Sequence, residues 1–127
     1  MKLLLPLLTT LSLLLAACGS ATPTAQGPRT LTVMTHDSFA VSEDVIVAFQ
    51  EANNATVQIL SSGDAGTAVN LAILNREAPL ADVFFGIDNT LLTRGLDAGI
   101  FEPYQSPLLA DIPNHFKLDP RNRVSPV

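Results

Sequence analysis

The chain is poor in most of the side chains that build reactive chemistry. Its 127 residues include one cysteine, no tryptophan, one tyrosine and two histidines. A single cysteine forms no internal disulfide and no thiolate metal site. His36 and His115 stand alone, without further ligands at metal-site spacing, so no metal is expected. No serine–histidine–acid arrangement is legible, which leaves no catalytic residue to assign and no cofactor to expect. Basic side chains are also scarce: seven lysines and arginines stand against twelve aspartates and glutamates. That acidic, aromatic-poor balance argues against nucleic acid and against a basic membrane-surface module. It remains compatible with a cationic ligand. Long hydrophobic runs are missing too. The longest, Leu3 to Leu15, falls short of the roughly 20 residues of a spanning helix, and Pro6 interrupts it.

What is present begins with an export pattern. Lys2 is a short positive start, Leu3 to Leu15 an apolar centre, and Ala16-Ala17 a small-residue end, so residues 1–17 read as a signal peptide. Leu15-Ala16-Ala17-Cys18 resembles the lipobox of bacterial lipoproteins. That resemblance implies cleavage before Cys18 and lipidation of its thiol, hence a membrane anchor. Each buried methylene of a lipid chain contributes about 0.8 kcal/mol, so two or three chains hold a protein durably. Residues 18–29 read as a tether, because Gly19 to Pro28 is small, polar and proline-containing. Losing Met1 to Ala17 removes Lys2 alone among charged residues, which leaves six basic against twelve acidic side chains.

Residues 30–127 alternate strand and helix patterns. Leu31 to Thr35 is a β-rich run. Ser42 is placed to cap a helix with Glu43 and Asp44 in its first turn, and Val45, Ala48, Phe49 and Ala52 form an apolar face. Asn53-Asn54 closes that helix. Thr56 to Leu60 alternates like a second strand, and Ser61 to Gly66 reads as a turn. Thr67 is expected to cap a second helix, with Val69, Ala72 and Ile73 on its inner face. Ala81 to Gly86 is a third strand, whose Val83-Phe84-Phe85 run predicts burial on both faces. Asp88 or Asn89 caps a third helix striped by Leu91, Leu92 and Leu96. Gly99 then fits a left-handed helix end, with Ile100 folding back. Beyond Phe101 five prolines make the chain irregular.

Three strand–helix units in succession predict an α/β fold, an open, mostly parallel sheet with flanking helices. Ligands of such sheets sit beyond the carboxyl ends of the strands. Those ends lead into Thr35 to Phe39, Ser61 to Thr67 and Gly86 to Thr90. Each loop offers a carboxylate together with hydroxyl, amide or backbone groups.

The same loops carry a family likeness. Leu-Thr-Val-x-Thr-x-Asp-Ser-Phe at 31–39, Gly-Asp-Ala-Gly at 63–66 and Ala-Asp-Val-Phe-Phe-Gly-Ile-Asp-Asn at 81–89 resemble the thiamine-binding proteins of ABC importers. Gly99 to Pro103 and Arg123 to Val127 fit the same pattern. The likeness implies a type 2 periplasmic-binding-protein-like fold: two α/β lobes joined by crossover strands, closing on ligand like a trap. This chain would hold part of the N-terminal lobe, as an N-terminal fragment, with apolar surface left exposed. It implies a protein outside the cytoplasmic membrane, in the periplasm or at the cell surface, that delivers thiamine or a thiamine phosphate to ABC permease subunits without chemistry; the lipobox likeness adds the lipid anchor on Cys18.

Thiamine carries a permanent positive charge, and its esters add phosphate. A site for them needs carboxylates, aromatic faces, and amides at a helix start. Gly63, Gly66 and Thr67 are placed to supply amides, Asp37 and Asp64 carboxylates, and Ser38 and Asn89 hydrogen bonds. Asp88 joins these as a ligand candidate or serves as a helix cap. Asp37 and Asp64 are also common turn residues. His36 reads as structural, Phe39 as core or ring-stacking, and Tyr104 as site or surface. Two rival readings keep the fold. One is a binding protein for ferric iron or another small cation, although one tyrosine and two scattered histidines make no iron cluster. The other is a thiamine-degrading enzyme, disfavoured because its nucleophile is a cysteine and Cys18 is committed to lipid.

Overall fold

The computed structural model describes residues 27–126. The expected signal peptide, Cys18 and nearly all of the expected tether fall outside the described residues. Six regular elements follow in strict alternation: β1 (Arg29–Thr35), α1 (Glu43–Asn53), β2 (Ala55–Ser61), α2 (Ala65–Leu74), β3 (Val83–Phe85) and α3 (Asn89–Ala98). Two short 3-10 turns, Pro107–Asp111 and Asn114–Phe116, punctuate the irregular remainder. The three strands form one parallel sheet in the order β2-β1-β3, as the α/β reading expects.

β1 is central. It pairs with β2 along its whole length, from Arg29 opposite Ala55 to Thr35 opposite Ser61. It pairs with β3 over its last three residues only, Val33 opposite Val83 through Thr35 opposite Phe85. Asp82 extends that short ladder, because its N–H donates to the Thr32 carbonyl at 2.9 Å and its Oδ2 accepts from the Thr32 N–H at 2.8 Å. The outer edge of β2 is blunted by α1, whose Gln50 Oε1 accepts from the Val57 N–H at 2.7 Å. A free strand edge is thereby partly satisfied.

Right-handed crossovers in this strand order put α1 and α2 on opposite faces. α2 packs on β1 and against α3, and the core lies there, with Met34, Ala68 and Val69 at most 2% exposed. α1 packs on β2 by itself and buries none of its residues. Its expected apolar stripe is therefore largely in solvent: Val45 is 55% exposed and Phe49 44%. The periodicity of that stripe is right, but no neighbouring layer covers it among the described residues. The sheet is correspondingly less enclosed than the Val83-Phe84-Phe85 run suggested. Phe84 and Phe85 are half-buried, whereas Val83, on the sheet's edge, is exposed.

The helix ends sharpen three expectations. Ser42 occupies the cap position of α1, but its side chain makes no capping bond, and its carbonyl accepts from Val45 and Ile46 instead. Asn54 ends that helix in the left-handed conformation at φ 47°. Asp64, not Thr67, caps α2: Asp64 Oδ1 accepts from the Thr67 N–H at 2.7 Å. Thr67 lies one turn too late, and a shorter acceptor was available to its own amide. α3 is capped by Asp88 and ends at Gly99, φ 69°, as the sequence implied.

The irregular segment after α3 is pinned by a buried ion pair. Asp119 is 3% exposed and receives Arg123 through Nη2 at 2.8 Å, Nε at 3.0 Å and the backbone N–H at 2.8 Å. Arg123 Nη1 also reaches the Leu96 carbonyl at the end of α3, at 3.4 Å. The segment is thus held together by charge-assisted bonds and tied to the third helix through Arg123, while Leu109 is buried within it.

Candidate functional site

The three strands run parallel, so their carboxyl ends open on one side of the sheet. There the loops after β1, β2 and β3 surround an open cleft of about 600 Å³. It is lined by His36, Asp37 and Ser38 from the first loop, Asp64 and Ala65 from the second, and Gly86, Ile87 and Asp88 from the third. Its volume falls within the roughly 300–1,000 Å³ of small-molecule sites.

Each loop is held by a specific backbone device. The first two are tied directly: the Asp37 N–H donates to the Gly63 carbonyl at 2.9 Å, and the Ser62 N–H to the Thr35 carbonyl at 2.9 Å. The β1–β2 ladder therefore continues into the loops and fixes their separation. A turn closed by the Phe39 N–H on the His36 carbonyl, at 3.1 Å, then aims Asp37 and Ser38 outward. Neither of those side chains accepts a hydrogen bond from the described residues, and both are exposed. They are open to solvent and to any solute.

Asp64 and Asp88 start α2 and α3. All three bonds to Asp88 fall on Oδ1: the Thr90 hydroxyl at 2.6 Å, the Thr90 N–H at 2.9 Å and the Leu91 N–H at 3.0 Å. The Thr67 N–H likewise falls on Oδ1 of Asp64. In each case Oδ2 accepts nothing from the described residues. These bonds stabilise the ionised forms. The Thr67 N–H holds Asp64 below the usual carboxylate range, and the Thr90 hydroxyl followed by the Leu91 N–H does the same for Asp88. Both carboxylates are charged at any physiological pH.

The third loop depends on Gly86. Its φ of 103° is a conformation that L side chains rarely adopt, and a Cβ there would fall 2.2 Å from Cδ2 of His36. The imidazole lies against the bare glycine backbone, tilted on Phe85 with ring centroids 6.2 Å apart. Phe39 meets Phe85 edge-on at 4.9 Å, so Phe39 packs beneath the cleft beside that ring.

Of the sequence candidates, Asp37, Ser38, Asp64 and Asp88 come together on the cleft. Gly63, Gly66, Thr67 and Asn89 flank it without lining it. Gly63 supplies the carbonyl that ties the first loop, Gly66 and Thr67 form the first turn of α2, and Asn89 is the first residue of α3. Of the amides expected at Gly63 to Thr67, the Thr67 N–H is taken by Asp64 Oδ1, whereas the Gly63 and Ala65 N–H groups have no acceptor among the described residues. Ala65, Gly86 and Ile87 line the cleft without having been named as site candidates, and so does His36, which the sequence reading took as structural. His36 and Gly86 each directly follow a strand end, so the rule that pointed to the loops also pointed to them. Tyr104, 68% exposed, is not among the cleft's lining residues. Among the described residues no group of three or more histidine, cysteine, aspartate or glutamate side chains is arranged to hold a metal ion. No helix among them is long and apolar enough to cross a membrane.

Comparison with known proteins meets the motifs at this point. No family model matches the chain. It is 32% identical over 119 residues to a thiamine-binding periplasmic protein of Brucella suis, and 31% identical to proteins of the same name from Brucella abortus and Brucella melitensis. Each alignment covers 89% of this chain and 35% of the relative, so the chain spans about a third of the length of the curated relatives it matches. The likeness read from the three loops is borne out: this chain is similar, across most of its length, to thiamine-binding periplasmic proteins.

Proposed function

We propose that this chain contributes one wall of a solute-binding site for thiamine or a thiamine phosphate, in a protein that captures its ligand without chemical change. One observation carries the reading. The three segments that resemble thiamine-binding proteins are those that the sheet gathers around a single cleft. In this role Asp37, Asp64 and Asp88 attract the thiazolium charge, and Ser38 offers a hydroxyl. Gly63, Gly66, Thr67 and Asn89 shape the loops from behind. The relatives' shared name, that of a binding protein rather than an enzyme, supports capture over catalysis.

Delivery follows from the same reading. Residues 1–17 export the chain, Cys18 carries lipid, residues 18–29 hold the domain away from the membrane, and residues 30–127 form part of a first lobe. A second lobe would close over the cleft, and an ABC permease would receive the solute. The binding claim is tested by titrating thiamine into the full chain calorimetrically. Asp37→Ala should weaken binding without lowering thermal stability, because the Asp37 side chain makes no hydrogen bond with the described residues. An unchanged affinity removes Asp37 from the site. The anchor is tested separately: Cys18→Ser should abolish incorporation of labelled palmitate, and continued labelling would refute it.

A further inference from the structure

We propose that Gly95, midway along α3 and outside the cleft, is a positioning residue for the solute site, acting through Ile87. The inference rests on the reading of the cleft as a thiamine site and assigns a residue behind its third wall.

Gly95 is buried, and a glycine inside a helix is less favourable than alanine. Close approach by other groups accounts for it. A Cβ built there would fall 2.8 Å from Cδ1 of Ile87 and 2.9 Å from Cε2 of Phe101. Both distances are shorter than real Cβ contacts. The bare backbone thus receives two side chains at once. Phe101 also meets Phe84 of β3 edge-on, with ring centroids 6.1 Å apart, so that ring joins helix to sheet. Ile87 differs, because it lines the cleft.

Ile87 has little freedom to retreat. On one side the chain is held by the pairing of Phe85 with Thr35. On the other, Asp88 is fixed by the Thr90 hydroxyl and by the Thr90 and Leu91 N–H groups. Gly86 between them holds a positive φ and carries the His36 ring against its backbone. A methyl group at Gly95 therefore cannot be met by moving the loop backbone without disturbing one of these anchors. The flexible end of Ile87 moves instead, and the open space beside it is the cleft. Close-packed surroundings transmit such a displacement rather than absorb it. Gly95 thereby sets how far the third wall stands from the carboxylates of Asp37 and Asp64, without touching the solute.

Calorimetry on the full chain with thiamine, and separately with thiamine monophosphate, tests this as a double-mutant cycle. Gly95→Ala should weaken binding of the form that wild type holds by roughly tenfold, the binding equivalent of a modest overpacking cost. In an Ile87→Val background, which lacks Cδ1, the same substitution should cost less than about twofold. In a Phe101→Leu background, which lacks Cε2, the thermal melt should recover while the binding loss persists. That background also carries the comparison if Gly95→Ala alone does not fold. Affinity unchanged by Gly95→Ala overturns the positioning role and leaves the thiamine site standing. A binding loss undiminished by Ile87→Val, or abolished by Phe101→Leu, makes Gly95 a packing residue only and overturns the role equally. A wild type that binds neither form overturns the thiamine reading, and this role with it.

Discussion

Val69 and Val45 offer the same chemical change in opposite surroundings. Both are helical valines, one at 0% exposure in α2 and one at 55% in α1. Truncating Val69 to alanine removes two buried methyl groups, a transfer loss of about 1.6 kcal/mol. The hole it leaves adds roughly 1 kcal/mol, because α2 is clamped between β1 and α3 and cannot collapse fully. Alanine's better helix propensity returns about 0.5 kcal/mol. Val69→Ala should therefore destabilise the fold by about 2 kcal/mol. At Val45 less than half of the side chain leaves water, so the transfer loss is about 0.7 kcal/mol and propensity offsets most of it. Val45→Ala should be nearly neutral. Urea unfolding followed by circular dichroism separates the two, with a midpoint drop of roughly 1–2 M for Val69→Ala and almost none for Val45→Ala. Equal losses would refute the placement of the core on the α2 side of the sheet. They would mean that the outer face of α1 is covered after all.

Two further outcomes follow from the same structure. Asp119 is held well below the usual carboxylate range, chiefly by the Arg123 side chain. A carboxylate depressed in the folded state stabilises the fold above its unfolded pKa of about 3.9, and that contribution is lost as the pH falls below it. Wild type should lose stability steeply below about pH 4, with Asp64 and Asp88 adding to the slope in the same direction. Arg123→Ala should be less stable at neutral pH and show a shallower acid limb; an acid limb as steep as that of wild type would refute the role of the pair. Gly86→Ala should cost about 1–3 kcal/mol from its strained backbone and push the His36 ring into the cleft, weakening thiamine binding. Adding His36→Ala should restore the steric part of that loss, and wild-type stability in the single variant would sink the argument.

The strands and helices were largely legible because their signals are local. The Asp88 cap, the Asn54 and Gly99 helix ends and the parallel order of three strand–helix units follow from short-range chemistry and one topological rule. The exposure of α1 was not legible. Val45, Ala48, Phe49 and Ala52 encode a face but not what lies against it. At the site, Asp37, Ser38, Asp64 and Asp88 could be found from strand ends alone. The engagement of the Thr67 amide could not, because the choice between Asp64 and Thr67 as cap turns on a one-turn difference in where the helix begins. His36 was read as structural because a lone histidine carries no spacing pattern, and its place against Gly86 depends on a segment some 50 residues later.

That separation sets the order in which the cleft is assembled. β1 can pair with β2 once the chain has reached Ser61, and the first two loops are then tied through Asp37 and Gly63. The third side waits for a partner much further along, since the Thr32–Asp82 contact closes a loop of 50 residues. Closing so long a loop is slow and yields only three paired residues plus that one extension. A growing chain thus passes through a stage with two carboxylate loops in place and the sheet's central strand open along one edge. The cleft is completed last, and whatever hinders the arrival of Val83 to Phe85 hinders recognition before it hinders the rest of the fold.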